Sequence, residues 1–234
     1  MRPQSDRTYR YYDLVMVAFV VVLVCSNLIG PAKAAALDLP FIGPVTFGAG
    51  VLFFPVSYVF GDVLTEVYGY GRDRRVIWAG FAALIFASVM AWLVVALPPA
   101  PTWPNQQVYE IAFGNTWRIA GASMIAFLCG SFVNSYVLAK MKVASEGRGM
   151  ARRFVASTIA GEAVDSSLFY PLAFWNSGIM PNDLVMTLMV SQFIAKTGVE
   201  IVMLPVTTRV VNALKRAENE DYFDRGTNFN PFKV

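Results

Sequence analysis

Apolar residues run along this chain in long blocks, neither alternating as in a strand nor spaced as in the one-sided helix of a soluble protein. Six blocks approach the roughly 20 residues that a helix needs to cross a bilayer. They cover 14–31, 45–66, 76–97, 119–139, 154–174 and 184–214, the last long enough to run past the hydrocarbon. The connections between blocks are short, so no soluble domain fits among them. The expected fold class is all-α: an integral membrane protein of six transmembrane helices over 1–214, with a tail over 215–234. The 98–117 connection holds several prolines and aromatics and no Lys or Arg, as an interfacial cap would.

Charge gives these helices a direction. Of the 19 Lys and Arg, 16 lie before the first block, after the second, between the fourth and fifth, or from the end of the sixth onward. Only Lys33 and Arg118 fall on the other side, and Lys196 falls inside the sixth block. The positive-inside rule then makes both termini cytoplasmic, which an even number of spans satisfies. The first block with Ala34-Ala35-Ala36 behind it looks like a secretory signal and its cleavage site. Lys33 crowds that site and Ser26-Asn27 interrupts the apolar run, so the block is read as a retained first helix.

Polar residues at membrane depth are the candidate chemistry. A charge there costs about 2.5–3.5 kcal/mol on insertion scales. Asp62 and Glu66 stand at i, i+4 in the second block, sharing a helical face with Tyr58. Glu162 and Asp165 stand at i, i+3 in the fifth, roughly 12 Å and 16 Å from Phe154 along a helix axis. Gln192, Lys196 and Glu200 form a stripe in the sixth, and Ser131–Asn134 and Ser26–Asn27 are smaller pairs. Five acids thus face one intramembrane cation, Lys196. Arg72, Arg74 and Arg75 offer Asp62 and Glu66 interfacial partners, whereas Glu162 and Asp165 have none nearby. Hydrogen bonding between helices explains the hydroxyls and amides. It leaves the carboxylates to protonation, to water or to a ligand that brings donors or positive charge. Pro55, Gly61, Gly161, Pro171 and Pro205 loosen the same helices, which a cavity tolerates.

Composition removes whole classes of function. The chain is 56% hydrophobic and 15% charged, against about 25% charged for soluble domains, which excludes a disordered chain and a nucleic-acid-binding module. It contains no histidine, which excludes a histidine-based triad or dyad, histidine-ligated haem and the usual zinc sites. Cys25 and Cys129 sit in apolar runs and read as small core residues. No Gly-rich phosphate loop ending in Lys-Ser or Lys-Thr is present, so no ATP hydrolysis by that route is expected. No cofactor or metal is called for.

The stretch Phe54-Pro55-Val56-Ser57-Tyr58-Val59-Phe60-Gly61-Asp62-Val63-Leu64-Thr65-Glu66-Val67-Tyr68-Gly69-Tyr70 resembles the signature of the queuosine precursor transporter family. The likeness extends to Ser26-Asn27, to Gly161-Glu162-Ala163-Val164-Asp165-Ser166 and to Lys196-Thr197, and so covers nearly the whole chain. The resemblance implies uptake of 7-deazaguanine bases, the cyano and aminomethyl precursors of queuosine. It also implies a six-helix fold similar to the substrate-binding subunits of energy-coupling-factor vitamin transporters. A carboxylate is a two-point acceptor for the N–H groups on such a base's edge, a role for Glu162 or Asp165. Asn27, Asn134 or Gln192 would read the carbonyl side, with aromatic rings stacking on the base. Tyr58 and Asp62 complete the candidate substrate site, and Lys196 would keep it neutral when empty.

The leading reading is a transporter working in the lipid bilayer alone or as a homo-oligomer, with no nucleic-acid partner. The alternative is the substrate-capture subunit of a multi-component, ATP-driven vitamin-type importer. An intramembrane carboxylate protease fits poorly, because Glu162 and Asp165 share one helix and lack a Gly-x-Gly-Asp context. A purely structural membrane protein would leave acids at the midplane unexplained.

Overall fold

A computed structural model describes residues 8–29, 34–39, 43–48, 53–114, 117–178 and 181–233. The order of elements is α1 (Tyr12–Leu28), β1 (Ala34–Leu39), β2 (Gly43–Gly48), α2 (Phe54–Val63), α3 (Tyr70–Ala96), α4 (Gln106–Phe113), α5 (Trp117–Ala144), α6 (Met150–Phe174) and α7 (Asn182–Glu218). A single π-helical turn, Leu64–Tyr68, joins α2 to α3. Apart from one hairpin the described chain is helical.

That hairpin corrects the second expected span. β1 and β2 pair antiparallel, with Ala36 opposite Thr46 and Leu37 opposite Val45, so the beginning of the 45–66 block is strand. Gly43, Pro44 and Gly48 disfavour a helix there, and the helix starts only at Phe54. Pro55 lies in its first turn, where a missing N–H costs nothing, so it opens the helix and does not interrupt it. Pro171 and Pro205 do lie inside α6 and α7.

Among the described residues three stretches are long and apolar enough to cross a membrane: Tyr70–Ala96, Gln106–Ala144 and Asn182–Glu218, with Tyr12–Leu28 a shorter apolar helix. The surface is inverted relative to that of a soluble protein. Phe86, Ile194 and Val202 are 62–76% exposed, while Asp62, Glu66, Ser157, Thr158 and Glu200 are buried. Such a distribution is stable where the outer solvent is hydrocarbon and the polar groups satisfy one another inside. The protein is a multi-pass membrane protein.

Packing concentrates in the α5–α6–α7 layer, with α3 against α5, α1 against α3, and α2 between α1 and α7. Small residues allow the tightest crossing. A Cβ on Gly161 would come within 2.8 Å of Asn134 Cβ and 3.0 Å of the Gly130 carbonyl, and one on Gly130 within 3.0 Å of Asp165 Cβ. The α5 and α6 backbones therefore nearly touch, as small-residue interfaces permit in membranes, and Asn134 and Asp165 are carried to the same point. At the other end of α5–α6, Arg118 donates to the carbonyls of Leu172 and Trp175, a cation capping the carbonyl end of α6.

The tail after Glu218 is packed and is not a loose end. Tyr70 donates its N–H to Asp224 and its hydroxyl to the Phe229 carbonyl. Arg74 reaches the carbonyls of Asn228 and Asn230, and Trp78 that of Pro231. Gly69, at φ +83°, ends the π turn, and a Cβ there would meet the Tyr222 ring at 2.3 Å. Burial pushes the Asp224 carboxyl up from its usual range, against the opposing pull of Thr227 and the Tyr70 N–H.

Candidate functional site

The Gly130–Gly161 crossing forms one wall of a cavity of about 300 Å³, at the lower end of the roughly 300–1,000 Å³ of small-molecule sites. Six of the eight sequence candidates line it: Asn27, Asn134, Glu162, Asp165, Gln192 and Lys196. They come from α1, α5, α6 and α7, so no local segment could form it alone. Phe19, Phe127, Phe169 and Tyr170 supply aromatic surface. Asp62 lies behind the lining at 1% exposure. The side chain of Tyr58 lies outside the described residues.

Helical spacing aims the charged groups. Glu162 and Asp165 are one turn apart on α6, and Lys196 from α7 enters between them, with Nζ 3.1 Å from Glu162 and 2.7 Å from Asp165. The lysine is therefore held by acids of the neighbouring helix, and Glu200 has a different partner, the Thr158 hydroxyl. Asn27 is oriented from both sides: its amide donates to the Leu23 carbonyl at 2.9 Å and its oxygen accepts from Ser123 at 2.9 Å. Four faces thus present acceptors, donors and rings to one volume.

Asp73 is a cavity residue that the sequence did not announce. It is 2% exposed and accepts from Thr65 at 2.9 Å and from Ser135. Flanked by Arg72, Arg74 and Arg75 it reads as interfacial. The signal was the buried stripe Asp73, Ile77, Gly80, Leu84, whose steps of four, three and four mark one helix face.

A second cavity of about 380 Å³, mostly apolar, lies toward the end of α3 and the start of α5, among Leu84, Trp92, Val95 and Trp117. Asn27, Ser123 and Phe169 line both cavities. These three side chains form the partition between the substrate-sized volume and the end of the bundle that is poor in Lys and Arg.

Glu66 belongs to a separate structure. It does not pair with Arg72, Arg74 or Arg75, the partners its sequence neighbourhood suggests. The π turn breaks its i, i+4 register with Asp62 and delivers it, fully buried, to Arg153. That guanidinium binds it bidentately at 2.6 and 3.0 Å and spends two further donors on the Gly147 and Arg148 carbonyls. Lys215 adds a 2.6 Å contact, and Lys142 stands at 3.6 Å while donating to the Glu66 and Tyr222 carbonyls and to Asp221. Arg72 instead stacks over Tyr9 and Tyr12. Burial works against the charge of Asp221, but hydrogen bonds from Lys142 and Lys215 outweigh it and hold the carboxyl below its usual range. This is a bundle-end ion knot with every cation satisfied.

A bundle that turns apolar side chains outward and keeps charged groups at an internal cavity fits a membrane solute transporter, and comparison with known proteins agrees. The family model described as "Putative vitamin uptake transporter" matches residues 48–210. The chain belongs to that family. It is 29% identical over 184 residues to the "Probable queuosine precursor transporter" of Bacillus subtilis (strain 168), a match covering 78% of this chain and 76% of that one. It is 28% identical over 176 residues to the "Queuosine precursor transporter" of Escherichia coli (strain K12), covering 74% and 73% respectively. No solved structure matches significantly. The residues of 54–70 and of the fifth and sixth blocks had pointed to the same family. The protein is a transporter and not an enzyme.

Proposed function

We propose that this protein imports 7-deazaguanine precursors of queuosine, the cyano and aminomethyl bases, across the bacterial inner membrane. The names of its two relatives support the substrate class. The single observation that carries the reading is the Glu162–Lys196–Asp165 group facing aromatic rings in a cavity of about 300 Å³. A base edge rich in N–H groups takes over a carboxylate that Lys196 holds in the empty protein, and the lysine stays paired with the other acid. Asn27, Asn134 and Gln192 read the carbonyl side, and Phe127 or Phe169 stacks on the ring. Asp62 acts behind this layer. The aminomethyl form brings a cation to a site whose acids outnumber its single lysine.

The membrane topology belongs to the same proposal. Six spans with both termini cytoplasmic put the ion knot and the packed tail at the inner face, and the partition of Asn27, Ser123 and Phe169 toward the outer face. The apolar second cavity is then the entrance. The fold is that of the substrate-binding subunits of energy-coupling-factor transporters, here working without an ATPase, alone or as a homo-oligomer, and without nucleic acid.

Uptake of a labelled 7-deazaguanine base into cells lacking their own synthesis and salvage tests this reading. Expression of the wild type is expected to produce uptake, and Glu162→Gln or Asp165→Asn at equal membrane levels to cut it at least tenfold. Uptake that stops on ATP depletion alone favours the capture-subunit alternative. An inserted protein that moves no base removes the substrate.

A further inference from the structure

Not all the buried acids are explained by the Lys196 group or by the ion knot. Behind the cavity lining, the Asp62 carboxyl on α2 and the Glu200 carboxyl on α7 are buried neighbours, with the Asn134 amide beside them. Two neighbouring carboxyls buried away from any cation do not both stay ionised, so one of them holds a proton.

The surroundings supply no other neutralisation. Facing this pair are Asn134 from α5, Thr158 and Glu162 from α6, and Glu66 from the turn after α2. Asp73 on α3 lines the same cavity. Among the described residues no ion pair reaches Asp62, Glu200 or Asp73. Lys196 is taken by Glu162 and Asp165, and Arg153 and Lys215 by Glu66. Asp62 and Glu200 are 1% and 5% exposed, and Asp62 Oδ1 and Glu200 Oε2 have no hydrogen-bond partner. Glu200 also lines the cavity, so one member of the pair touches the ligand volume and the other lies deeper. Interhelical glue would satisfy both free oxygens. These remain unfilled beside a chamber that exchanges its contents.

We propose that Asp62 and Glu200 form a proton site that is loaded and emptied once per transport cycle, coupling base import to proton entry. The step is a simple protonation. One carboxyl of the pair carries H⁺ in the empty chamber, releases it when the chamber opens inward with the base, and is reprotonated when the chamber faces outward again; no other bond forms or breaks. The claim rests on the transport reading for its coupling, but the shared proton stands on the geometry alone.

Two readouts keep those parts separate. Infrared spectroscopy of the purified full-length protein at neutral pH, without substrate, is expected to show a protonated-carboxyl carbonyl band that disappears in Asp62→Asn/Glu200→Gln, a near-isosteric pair of changes. Absence of the band in the wild type, or its survival in the double variant, overturns the proton site. In liposomes clamped at zero membrane potential, an inward proton gradient is expected to concentrate labelled 7-aminomethyl-7-deazaguanine, up to about tenfold per pH unit for one proton per base of unchanged charge. The double variant is expected not to concentrate the base on the same gradient. Wild-type protein that only equilibrates the base, or that concentrates it on a sodium gradient instead, overturns the coupling. If the band behaves as stated and no base moves, the substrate reading has failed and the proton site has not.

Discussion

The bundle holds two groups of buried charge that are equally hidden from solvent and oppositely matched. At the ion knot a single buried carboxylate, Glu66, faces Arg153, Lys142 and Lys215, with Asp221 closing the group from the tail. Around the cavity, Glu162, Asp165, Glu200, Asp62 and Asp73 share one lysine. In the knot all three donors of Lys142 and four of the five of Arg153 have acceptors. In the cavity the buried oxygens of Asp62, Asn134 and Glu200 have unused capacity. A fully matched group holds structure together, whereas an undermatched one waits for something to bind. Burial alone would not separate the two; the count of partners does.

The comparison breaks most easily at Glu66. Replacing it with Gln strands Arg153 and Lys215 in a buried site. The loss of one partner of a buried pair costs about 3–5 kcal/mol, so thermal unfolding in detergent should show a large fall in midpoint and membrane yield should drop. A variant that melts like the wild type would show that the knot does not hold the bundle. The next effect is steric and touches the cavity wall. Gly161→Ala puts a methyl 2.8 Å from Asn134 Cβ, and overpacking of this kind costs about 1–3 kcal/mol. Melting should report a moderate loss, and uptake should fall further than stability does, because the α5–α6 crossing sets the positions of Asn134 and Asp165.

The smallest effect concerns pH. The folded Asp221 carboxyl titrates below its unfolded value of about 3.9, so its contribution is present above that value and fades as pH falls through the lower folded one. Asp224, pushed up by burial, acts oppositely: ionisation costs stability, and the penalty lifts as pH falls through its raised value. Asp221→Asn should therefore flatten the acid limb of a melting-versus-pH curve below about pH 4. Asp224→Asn should raise stability at neutral pH relative to acid.

Much of this was legible in the chain. The Glu162–Asp165 and Gln192–Lys196–Glu200 spacings placed their side chains on helix faces that do meet, because i, i+3 and i, i+4 neighbours share a face wherever the helix is regular. The first, third, fourth, fifth and sixth blocks each contain a long helix. The second did not read correctly, since an unbroken apolar run does not distinguish strand from helix, and Val45 to Gly48 paired as strand. Glu66 was misassigned for a related reason. Its true partners come from the end of α5, the start of α6 and the end of α7, which no local spacing reveals, and a π turn altered its direction. Asp73 was masked by three neighbouring arginines, two of which turn away to the tail and to the Tyr9–Tyr12 rings. The tail itself, rich in both signs of charge, reads as solvated until Tyr70, Arg74 and Trp78 are seen holding its carbonyls.

The most direct test of the two-group account is the melting of the purified protein with and without a saturating 7-deazaguanine base. A ligand that binds only the folded state raises stability by about 2.7 kcal/mol at a hundredfold excess over its dissociation constant. The wild type should therefore melt higher with the base present. Glu162→Gln/Asp165→Asn leaves Lys196 without an acid, so it should melt lower than the wild type and lose the ligand-induced rise. A rise that survives in that variant would place the ligand elsewhere and contradict the division between a structural knot and a binding cavity.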